Sequence, residues 1–321
     1  MNHALLLDGV SKSYAGHTAV KNLSLAVPPG TIYGILGPNG AGKSTTLRMV
    51  MNIIIRDAGS ISLLGADPER DRSVLRRVGF LPEERGLYRK MNVTDVIVFF
   101  AELKGVDRRT ARTRAGEWLE RMGLGEWRAT KVETLSKGMQ QKVQFISTVI
   151  HEPELLILDE PHAGLDPVNQ EVLRDTILDW RRKGRTVLFS THNMEQAEQM
   201  CESLCIIAQG EKVLDGRLRD IRREHVSNVW FVDFDVVSDV AARSAVESFM
   251  STARFGRATR NGDDGWRIEL NRGVDSRALL SQLAALDAPV VRFEREVPSL
   301  HQIFVSRVGN AATPHREPAH V

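Results

Sequence analysis

Gly37-Pro38-Asn39-Gly40-Ala41-Gly42-Lys43-Ser44, followed by Thr45, has the spacing G-x-x-x-x-G-K-[ST]. The stretch follows an apolar run at residues 31–36 that is typical of a buried strand, and a helix is expected from about Gly42. In that context the glycines let backbone N–H groups converge on a phosphate at the positive end of a helix. Lys43 can bridge the β- and γ-phosphates of a nucleotide, and Ser44 has the short hydroxyl that ligates Mg²⁺. The alternative is a glycine-rich turn that happens to precede a lysine, but the order of strand, loop and helix argues against it.

A second apolar run, at residues 155–158, ends in two acidic residues, Asp159 and Glu160. It places two carboxylates at the carboxyl end of a buried strand, where ligands bind in parallel sheets. Asp159 would hold Mg²⁺ through its water shell, and Glu160 could polarise an attacking water. A helix-capping acid pair is the alternative, and it would be favoured if no phosphate loop lay upstream.

Strand and helix patterns alternate along the first 220 residues. Further buried strands are predicted at 186–190 and 204–208, with a helix at 167–183 between the second and third of the four strands. This alternation implies a parallel sheet covered by helices. Two helical patterns, at 94–104 with Thr94 as N-cap and at 108–122, lie in a middle region without a strand signal. They indicate an inserted helical subdomain at about 83–150.

The C-terminal part has a different pattern, and we place the boundary near Asp220. Strands are predicted at 229–237 and 290–296, helices at 240–250 and 276–286, and a hairpin turn at 261–265. The order βαββαβ suggests a small α+β, ferredoxin-like sandwich at 221–308. Residues 309–321 contain prolines and small or polar residues and are expected to be disordered.

Composition excludes several classes of protein. The chain has 321 residues, enough for about two domains, and 43 basic against 41 acidic residues. Apolar runs such as residues 96–101 are far shorter than the ~20 residues that span a bilayer, and the N-terminus lacks a signal-peptide pattern. Residues 221–308 contain twelve arginines and twelve acidic residues, which disfavours a nucleic-acid-binding module. We therefore expect neither a membrane-spanning nor a secreted protein, and no nucleic-acid partner.

A third motif, Leu135-Ser136-Lys137-Gly138-Met139-Gln140-Gln141, lies shortly before Asp159. With the two nucleotide motifs, it makes residues 1–220 resemble the ATP-binding subunits of ABC transporters, whose signature sequence it is similar to. The resemblance implies an ABC ATPase domain with a parallel sheet core, an antiparallel β part and an inserted helical subdomain. It also implies that Ser136 and Gly138 of a second subunit meet the γ-phosphate, so that two ATP molecules are sandwiched in a head-to-tail homodimer.

The same resemblance assigns three more residues. Asp166, in Gly164-Leu165-Asp166, is similar to the D-loop of the family, and His192, after Ser190-Thr191, to its switch histidine. His192 would orient the γ-phosphate or the water, although an isolated histidine at a strand end would be structural. Tyr14 lies where the family stacks an aromatic ring on adenine. The predicted nucleotide-binding residues are Tyr14, Gly37, Pro38, Asn39, Gly40, Ala41, Gly42, Lys43, Ser44, Thr45, Ser136, Gly138 and Asp166.

A narrower resemblance concerns Leu81-Pro-Glu-Glu-Arg-Gly-Leu-Tyr88, the Lys-Gly-Met-Gln-Gln form of the signature and Pro298-Ser-Leu-His-Gln-Ile-Phe304. These segments are similar to the sodium-extrusion and drug-resistance exporter ATPases, which work with ABC-2-type permeases and often carry a small C-terminal domain. Glu83 departs from the family by standing where many members have the Q-loop glutamine. We predict that Glu83, with Ser44 and Asp159, contacts the metal, while Lys43, Glu160 and His192 are catalytic.

The resemblance implies an ATPase that binds ATP and Mg²⁺ and couples hydrolysis to transport, and the narrower resemblance favours export as the direction. A separate integral membrane permease would hold the subunit at the cytoplasmic face of the membrane. The helical subdomain near residues 83–104 is the expected contact, through one or two of the apolar residues Val96, Ile97, Phe99, Phe100 and Leu103. The alternative function is a soluble ABC-type ATPase in DNA repair or translation. A single phosphate loop and the lack of sustained heptads disfavour it.

Overall fold

The computed structural model describes residues 3–84, 86–236, 239–252, 254–262 and 265–311. The chain divides into two compact units. The second unit is Asp220–Ile303, and the first contains the preceding residues together with the described residues from Phe304 onward. None of the helices in these ranges is both long and apolar enough to cross a membrane.

The described ranges contain β-strands and α-helices in both units. The strands are β1 (Leu5–Tyr14), β2 (His17–Val27), β3 (Ile32–Leu36), β4 (Ala58–Leu63), β5 (Val78–Leu81), β6 (Leu155–Asp159), β7 (Thr186–Thr191), β8 (Ser203–Ala208), β9 (Glu211–Arg217), β10 (Val229–Phe234), β11 (Gly256–Arg260), β12 (Gly265–Leu270) and β13 (Val290–Arg295). The α-helices are α1 (Lys43–Val50), α2 (Val93–Leu103), α3 (Arg108–Arg121), α4 (Lys137–Val149), α5 (Pro167–Arg182), α6 (Met194–Met200), α7 (Leu218–Glu224), α8 (Val240–Ser251), α9 (Ser276–Leu283) and α10 (Leu300–Ala311).

The first unit is built on a six-stranded sheet in the order β5-β6-β7-β3-β8-β9. The pairs from β5 to β8 are parallel, and β9 adds an antiparallel edge. Every residue of β3, β6, β7 and β8 is buried, which is why the middle of each strand is an apolar run. The parallel core predicted from those runs is confirmed.

A second, antiparallel sheet in the first unit has the order β2-β1-β4. Its alternating strands bury leucines and valines such as Leu5, Leu7 and Leu25 in one cluster with Tyr33 and Ile35 of the parallel sheet. The resemblance implied this antiparallel part, whereas periodicity alone did not identify it. The short strand β5 was also missed, because four residues carry little periodic signal.

The helical region of the first unit contains α2, α3 and α4. The predicted cap of α2 is wrong, because the helix begins at Val93 and its N-cap is Asn92. The hydroxyl of Thr94 instead donates to the carbonyl oxygen of Arg128, 3.0 Å away. Of the apolar residues of α2, Val96 and Ile97 are fully buried and Leu103 is 62% exposed.

The second unit has a four-stranded antiparallel sheet in the order β11-β12-β10-β13. With α8 and α9 this is the βαββαβ arrangement of a ferredoxin-like sandwich, as predicted from the element order. The strand predicted to reach residue 237 ends at Phe234, and Val237 lies outside the described residues. The predicted hairpin turn lies between Arg260 at the end of β11 and Gly265 at the start of β12. Asp263 and Asp264 of that turn lie outside the described residues. At the C-terminus α10 includes residues 309–311, which the sequence assigned to a disordered tail; the rest of that tail is not described.

Candidate nucleotide-binding site

Three adjacent parallel strands deliver the predicted motifs to one edge of the sheet. β6 ends at Asp159, β7 ends at Thr191 before His192, and β3 ends at Leu36 before the glycine-rich loop. The register pairs Asp159 with Ser190 and Leu36 with Thr191, so the three ends are level. The fold therefore gathers residues that are more than a hundred positions apart.

The glycine-rich loop requires glycine at its two ends. Gly37 and Gly42 have φ angles of 151° and 105°, and both make close backbone contacts. A Cβ on Gly37 would lie 2.1 Å from the carbonyl oxygen of Ile207, and one on Gly42 would lie 2.4 Å from that of Ala19. Both a positive φ and a close neighbour exclude larger side chains here. Helix α1 starts immediately afterwards at Lys43, so its free N–H groups face the loop.

Lys43 is buried and folds back across the loop. Its Nζ donates to the carbonyl oxygens of Gly37 and Pro38 at 2.8 and 3.2 Å. The same Nζ lies 3.4 Å from Oε1 of Glu160. The positive charge of Lys43 is thus balanced by the carboxylate of Glu160. A phosphate bound in the loop can replace that carboxylate as the partner of the ammonium.

Asp159 accepts hydrogen bonds from two serines. The Oγ of Ser44 donates to Oδ1 of Asp159 over 3.1 Å, and the Oγ of Ser190 donates to the same atom over 2.5 Å. Ser190 was quoted in the sequence motif, but its role was missed. A serine at the end of a buried strand beside β6 is the signal that could have found it.

Glu160 is held in an uncommon backbone conformation. Its φ is 47°, and its N–H donates to the carbonyl oxygen and the Oγ of Ser190 at 3.2 and 3.1 Å. Both carboxylate oxygens lie 3.0 Å from Nδ1 of His192. The turn thus places the nearly buried carboxylate of Glu160 between the ammonium of Lys43 and the imidazole of His192. A carboxylate held in this way is suited to accept a proton from a water molecule.

A cleft of about 540 Å³ lies over this edge and is lined by Tyr14, His17, Ala19, Asn39, Gly40, Ala41, Gly42, Lys43, Ser44, Thr45, Glu83 and Glu160. Its size suits a nucleotide. The structure thus brings together most of the predicted residues, including Tyr14 and Glu83. His17 and Ala19 were not predicted; they follow the β1–β2 turn that also carries Tyr14.

Five predicted nucleotide-binding residues do not line this cleft: Gly37 and Pro38 at the start of the loop, and Ser136, Gly138 and Asp166. Ser136 is the N-cap of α4, with its Oγ accepting from the N–H of Met139 over 3.3 Å, and Gly138 lies in the first turn of that helix. Asp166 caps α5, and hydrogen bonds from Asn169 lower the pKa of its carboxyl. Ser136, Gly138 and Asp166 are thus absent from the lining of the cleft that contains the loop and Glu160 in the same chain.

His162 follows Glu160 closely and was not singled out from the sequence. Burial lowers the pKa of His162 to about 4, against an opposing effect of the Glu160 charge, so the imidazole is neutral at pH 7. Among the described residues, its buried Nδ1 has no hydrogen-bond partner. It therefore contributes no positive charge beside Glu160.

Comparison with known proteins identifies the family. Residues 20–163 match the ABC transporter family, and residues 216–308 match the family described as ATP-binding protein DrrA1-3-like, C-terminal domain. The uncharacterized ABC transporter ATP-binding protein YhaQ of Bacillus subtilis (strain 168) is 40% identical over 95% of this chain and 98% of its own length. The linearmycin resistance ATP-binding protein LnrL of the same organism is 29% identical, also over 95% and 98%.

A solved structure described as the ATP binding subunit of an ABC transporter has a TM-score of 0.65 and 29% identity to this chain. It matches over 69% of this chain and 92% of its own. The matched families, the relatives and the site geometry agree on nucleotide chemistry. The chain belongs to the ATP-binding proteins of ABC transporters and is an ATPase of that family with a DrrA-like C-terminal domain.

Proposed function

We propose that this protein is the ATP-hydrolysing subunit of an exporter and drives a separate ABC-2-type permease at the cytoplasmic face of the membrane. The observation that carries the proposal is the contact of Lys43, Glu160 and His192 above the phosphate loop. A resistance protein, LnrL, is similar over nearly the whole chain, including the C-terminal domain, which supports export.

In the proposed complex the adenine stacks on Tyr14, whose ring is 48% exposed at the rim of the cleft. The phosphates lie along the loop, where backbone N–H groups and the start of α1 attract negative charge. Lys43 exchanges its contact with Glu160 for the β- and γ-phosphates. That exchange frees the Glu160 carboxylate to accept a proton from the attacking water, while His192 keeps it oriented.

The site also has oxygen ligands that suit Mg²⁺. Ser44 Oγ and Asp159 Oδ1 face each other at 3.1 Å, and Glu83 lines the same cleft. Mg²⁺ takes few protein ligands and keeps several waters, so a hydroxyl and one or two carboxylates are sufficient. When bound, the ion would supply positive charge to the phosphate oxygens. Ser44 and Asp159 would hold it, and Glu83 would be the further ligand.

A second copy of the chain would complete the site. Ser136 and Gly138 lie at the N-terminus of α4 and outside the cleft, so their own chain does not offer them to its γ-phosphate. We propose that two copies associate head to tail, each placing this helix start over the nucleotide of the other. ATP would then form part of the interface, and hydrolysis would weaken it.

The dimer is tested with Glu160→Gln, which should bind Mg-ATP, hydrolyse it slowly and accumulate as a dimer by size-exclusion chromatography with light scattering. Gly138→Asp in that background is the matched control. A Cβ at Gly138 would meet only Leu165 Cδ2 at 3.8 Å, so the monomer tolerates it, but a carboxylate there repels the γ-phosphate. We expect ATP binding without dimerisation. A Glu160→Gln protein that remains monomeric with saturating ATP would contradict the head-to-tail arrangement.

An apolar groove supports the proposal of a permease partner. A cleft of about 440 Å³ in the first unit is lined by Met51, Ile53, Phe80, Leu87 and Phe100, among others. Ile53 is 58% exposed beside this apolar lining, so together they form an apolar patch of the kind that marks an interaction site. We propose that a short amphipathic cytoplasmic segment of the permease occupies this groove. Phe100 is the residue of α2 that reaches it.

Phe100→Asp tests this contact against Leu103→Asp, which alters an exposed residue of the same helix outside the groove. Each protein is coexpressed with a candidate permease, and the ATPase bound to washed membranes is measured. We expect Phe100→Asp to lose membrane binding while its ATPase activity in solution is kept, and Leu103→Asp to keep both. Equal membrane binding of the two variants would place the permease elsewhere.

A further inference from the structure

A second polar cleft, of about 300 Å³, lies in the first unit between α3 and the C-terminal end of α5. Two tryptophans and four basic residues line most of it: Trp118, Trp180, Arg114, Arg121, Lys183 and Arg185. None of the motifs of the nucleotide site lies here. The combination of aromatic rings and cations raises the question of what the cleft can hold.

The aromatic wall is preorganised. The rings of Trp118 and Trp180 have centroids 6.3 Å apart, and Phe145 packs edge-on against Trp118 at 6.3 Å. The guanidinium of Arg121 lies 5.1 Å from the centre of the Trp118 ring, and Lys183 Nζ lies 6.0 Å from that of Trp180. Trp180 is only 5% exposed, and its Nε1 has no partner among the described residues. Such a wall can pack a flat ring without being ordered first.

The four cations differ in how they are held. Arg114 donates to the carbonyl oxygen of Ile150 and to Glu152, and Arg121 donates to Asp179 over 2.5 Å. Lys183 and Arg185, in contrast, make no side-chain hydrogen bond or ion pair within the described part of the chain.

Among the residues that the structure describes, two carboxylates, Glu117 and Glu152, line the cleft, and Glu152 is already bound to Arg114. Four cations therefore face two carboxylates. On the side beside Trp180, Lys183 and Arg185 can meet an anion; the charge of Arg185 also acts on Glu154, but that carboxylate is held by Arg77 at 2.7 Å.

The cleft is far from the nucleotide. Arg185 directly precedes β7, whose other end leads to His192, and a strand of six residues spans about 20 Å. Helix α5 likewise runs from its cap at Asp166 to Trp180 and Arg182. The cleft thus lies at the opposite edge of the sheet, and two elements connect it to the nucleotide edge.

We propose that this cleft is a second ligand site that binds a small aromatic anion, a single planar ring carrying one phosphate or carboxylate group. The ring packs against the wall of Trp118 and Trp180, and the anionic group meets Lys183 and Arg185. A volume of about 300 Å³ accommodates one ring and one such group and is at the lower end of the usual range for small-molecule sites.

The test uses the full chain labelled with 5-fluorotryptophan, with the nucleotide cleft saturated by Mg-ADP, and phenyl phosphate as the probe. The chain has five tryptophans, and Trp118→Phe and Trp180→Phe assign their ¹⁹F resonances. We expect the resonances of Trp118 and Trp180 to shift saturably on titration, while those of Trp230 and Trp266 in the second unit do not. The absence of a saturable shift at Trp118 and Trp180 would overturn the proposal.

Charge removal gives the second arm. Lys183→Gln with Arg185→Gln should weaken phenyl phosphate binding at least about tenfold, because both counterions of the anion are lost. Arg181→Gln is the control, since Arg181 is exposed near the same helix end but pairs with Glu202 and does not line the cleft. Benzyl alcohol and inorganic phosphate should both bind more weakly than phenyl phosphate. Unchanged binding in the double variant, or inorganic phosphate binding as tightly as phenyl phosphate, would refute the site as an aromatic-anion site.

Discussion

At the scale of single residues, Ser190 couples the two carboxylates of the site. Its Oγ donates to Asp159 and accepts from the N–H of Glu160, so one hydroxyl fixes both the proposed metal ligand and the proposed base. A hydrogen bond to a charged group contributes about 1.5–3 kcal/mol. We therefore expect Ser190→Ala to lower the ATPase rate about tenfold or more, and to raise the Mg²⁺ concentration for half-maximal activity.

Mg²⁺ titrations of ATPase activity check this prediction. Ser203→Ala is the control, because Ser203 is also a buried serine of the same sheet but lies at the start of β8. It should retain the rate and the Mg²⁺ dependence of the unchanged protein. If Ser190→Ala does so as well, Asp159 and Glu160 are positioned without the serine.

Glu83 and Glu84 are adjacent acids with different environments. Glu83 lines the nucleotide cleft, whereas Glu84 does not, and the backbone oxygen of Glu84 accepts from the side chain of Gln144. A carboxylate is a hard ligand suited to Mg²⁺. We expect Glu83→Ala to lower turnover and raise the Mg²⁺ requirement, and Glu83→Gln to retain much of the activity.

Glu84→Ala is the matched control and should have a smaller effect than Glu83→Ala in the same Mg²⁺ titration. Overlaying titration curves and equal turnover for the unchanged protein and Glu83→Ala would make Glu83 only a loop residue. In that case Ser44, Asp159 and water would complete the metal site.

Residue types and their spacing were sufficient to locate the phosphate loop, Asp159 and Glu160. Each of these motifs directly follows a run of apolar residues that is typical of a buried strand. Residue types and spacing were not sufficient for Ser190 or His17. The role of Ser190 depends on the pairing of β7 with β6, and that of His17 on the turn that places it beside Tyr14. Sheet order is decided by packing between distant segments, which a local pattern does not contain.

Local sequence patterns also failed to identify the N-cap of helix α2, for the same reason. Thr94 is a good N-cap residue by type, yet its N–H and hydroxyl both donate to the carbonyl oxygen of Arg128, and the helix starts earlier at Val93. A tertiary contact has replaced the local one. At its other end, helix α2 has the C-cap Lys104, and Gly105 follows with a φ of 91°, a backbone conformation that favours glycine after a helix.

His151 links the end of α4 to the strand β5. Burial, and then the charge of Lys104, lowers the pKa of His151 to about 4, while a contact with the carbonyl oxygen of Val78 opposes the shift. The ordinary value is 6.5. Between pH 6.5 and about 4 the unfolded chain therefore binds a proton that the folded chain does not, and the free energy of unfolding falls as the pH falls through this window.

We expect His151→Gln to reduce this loss of stability, because glutamine does not titrate. Urea unfolding midpoints at about pH 7 and about pH 4.5 measure it. The same substitution at His301, whose side chain is exposed on α10, is the matched control. A loss as large in His151→Gln as in the unchanged protein would show that other groups cause it.

At the scale of the whole molecule, nucleotide binding and the C-terminal unit are separable in sequence. All residues that line the nucleotide cleft lie between Tyr14 and Glu160, and His192 follows within the same unit. The second unit, Asp220–Ile303, has its own core, with Val232, Phe234 and Leu283 fully or almost fully buried. A unit with its own core can in principle fold alone.

We therefore predict that a protein ending near Asp220 still binds one ATP, with an affinity within about twofold of the full chain. Its unfolding free energy should be lower, because the described residues from Phe304 onward group with the first unit and are removed as well. Titration with a fluorescent ATP analogue measures the affinity, and circular dichroism establishes that the truncated protein is folded. Lys43→Ala in the truncated protein is the control, and it should abolish binding because it removes the ammonium that meets the phosphates. Loss of ATP affinity in a folded truncated protein would instead assign the C-terminal residues a direct part in the nucleotide site.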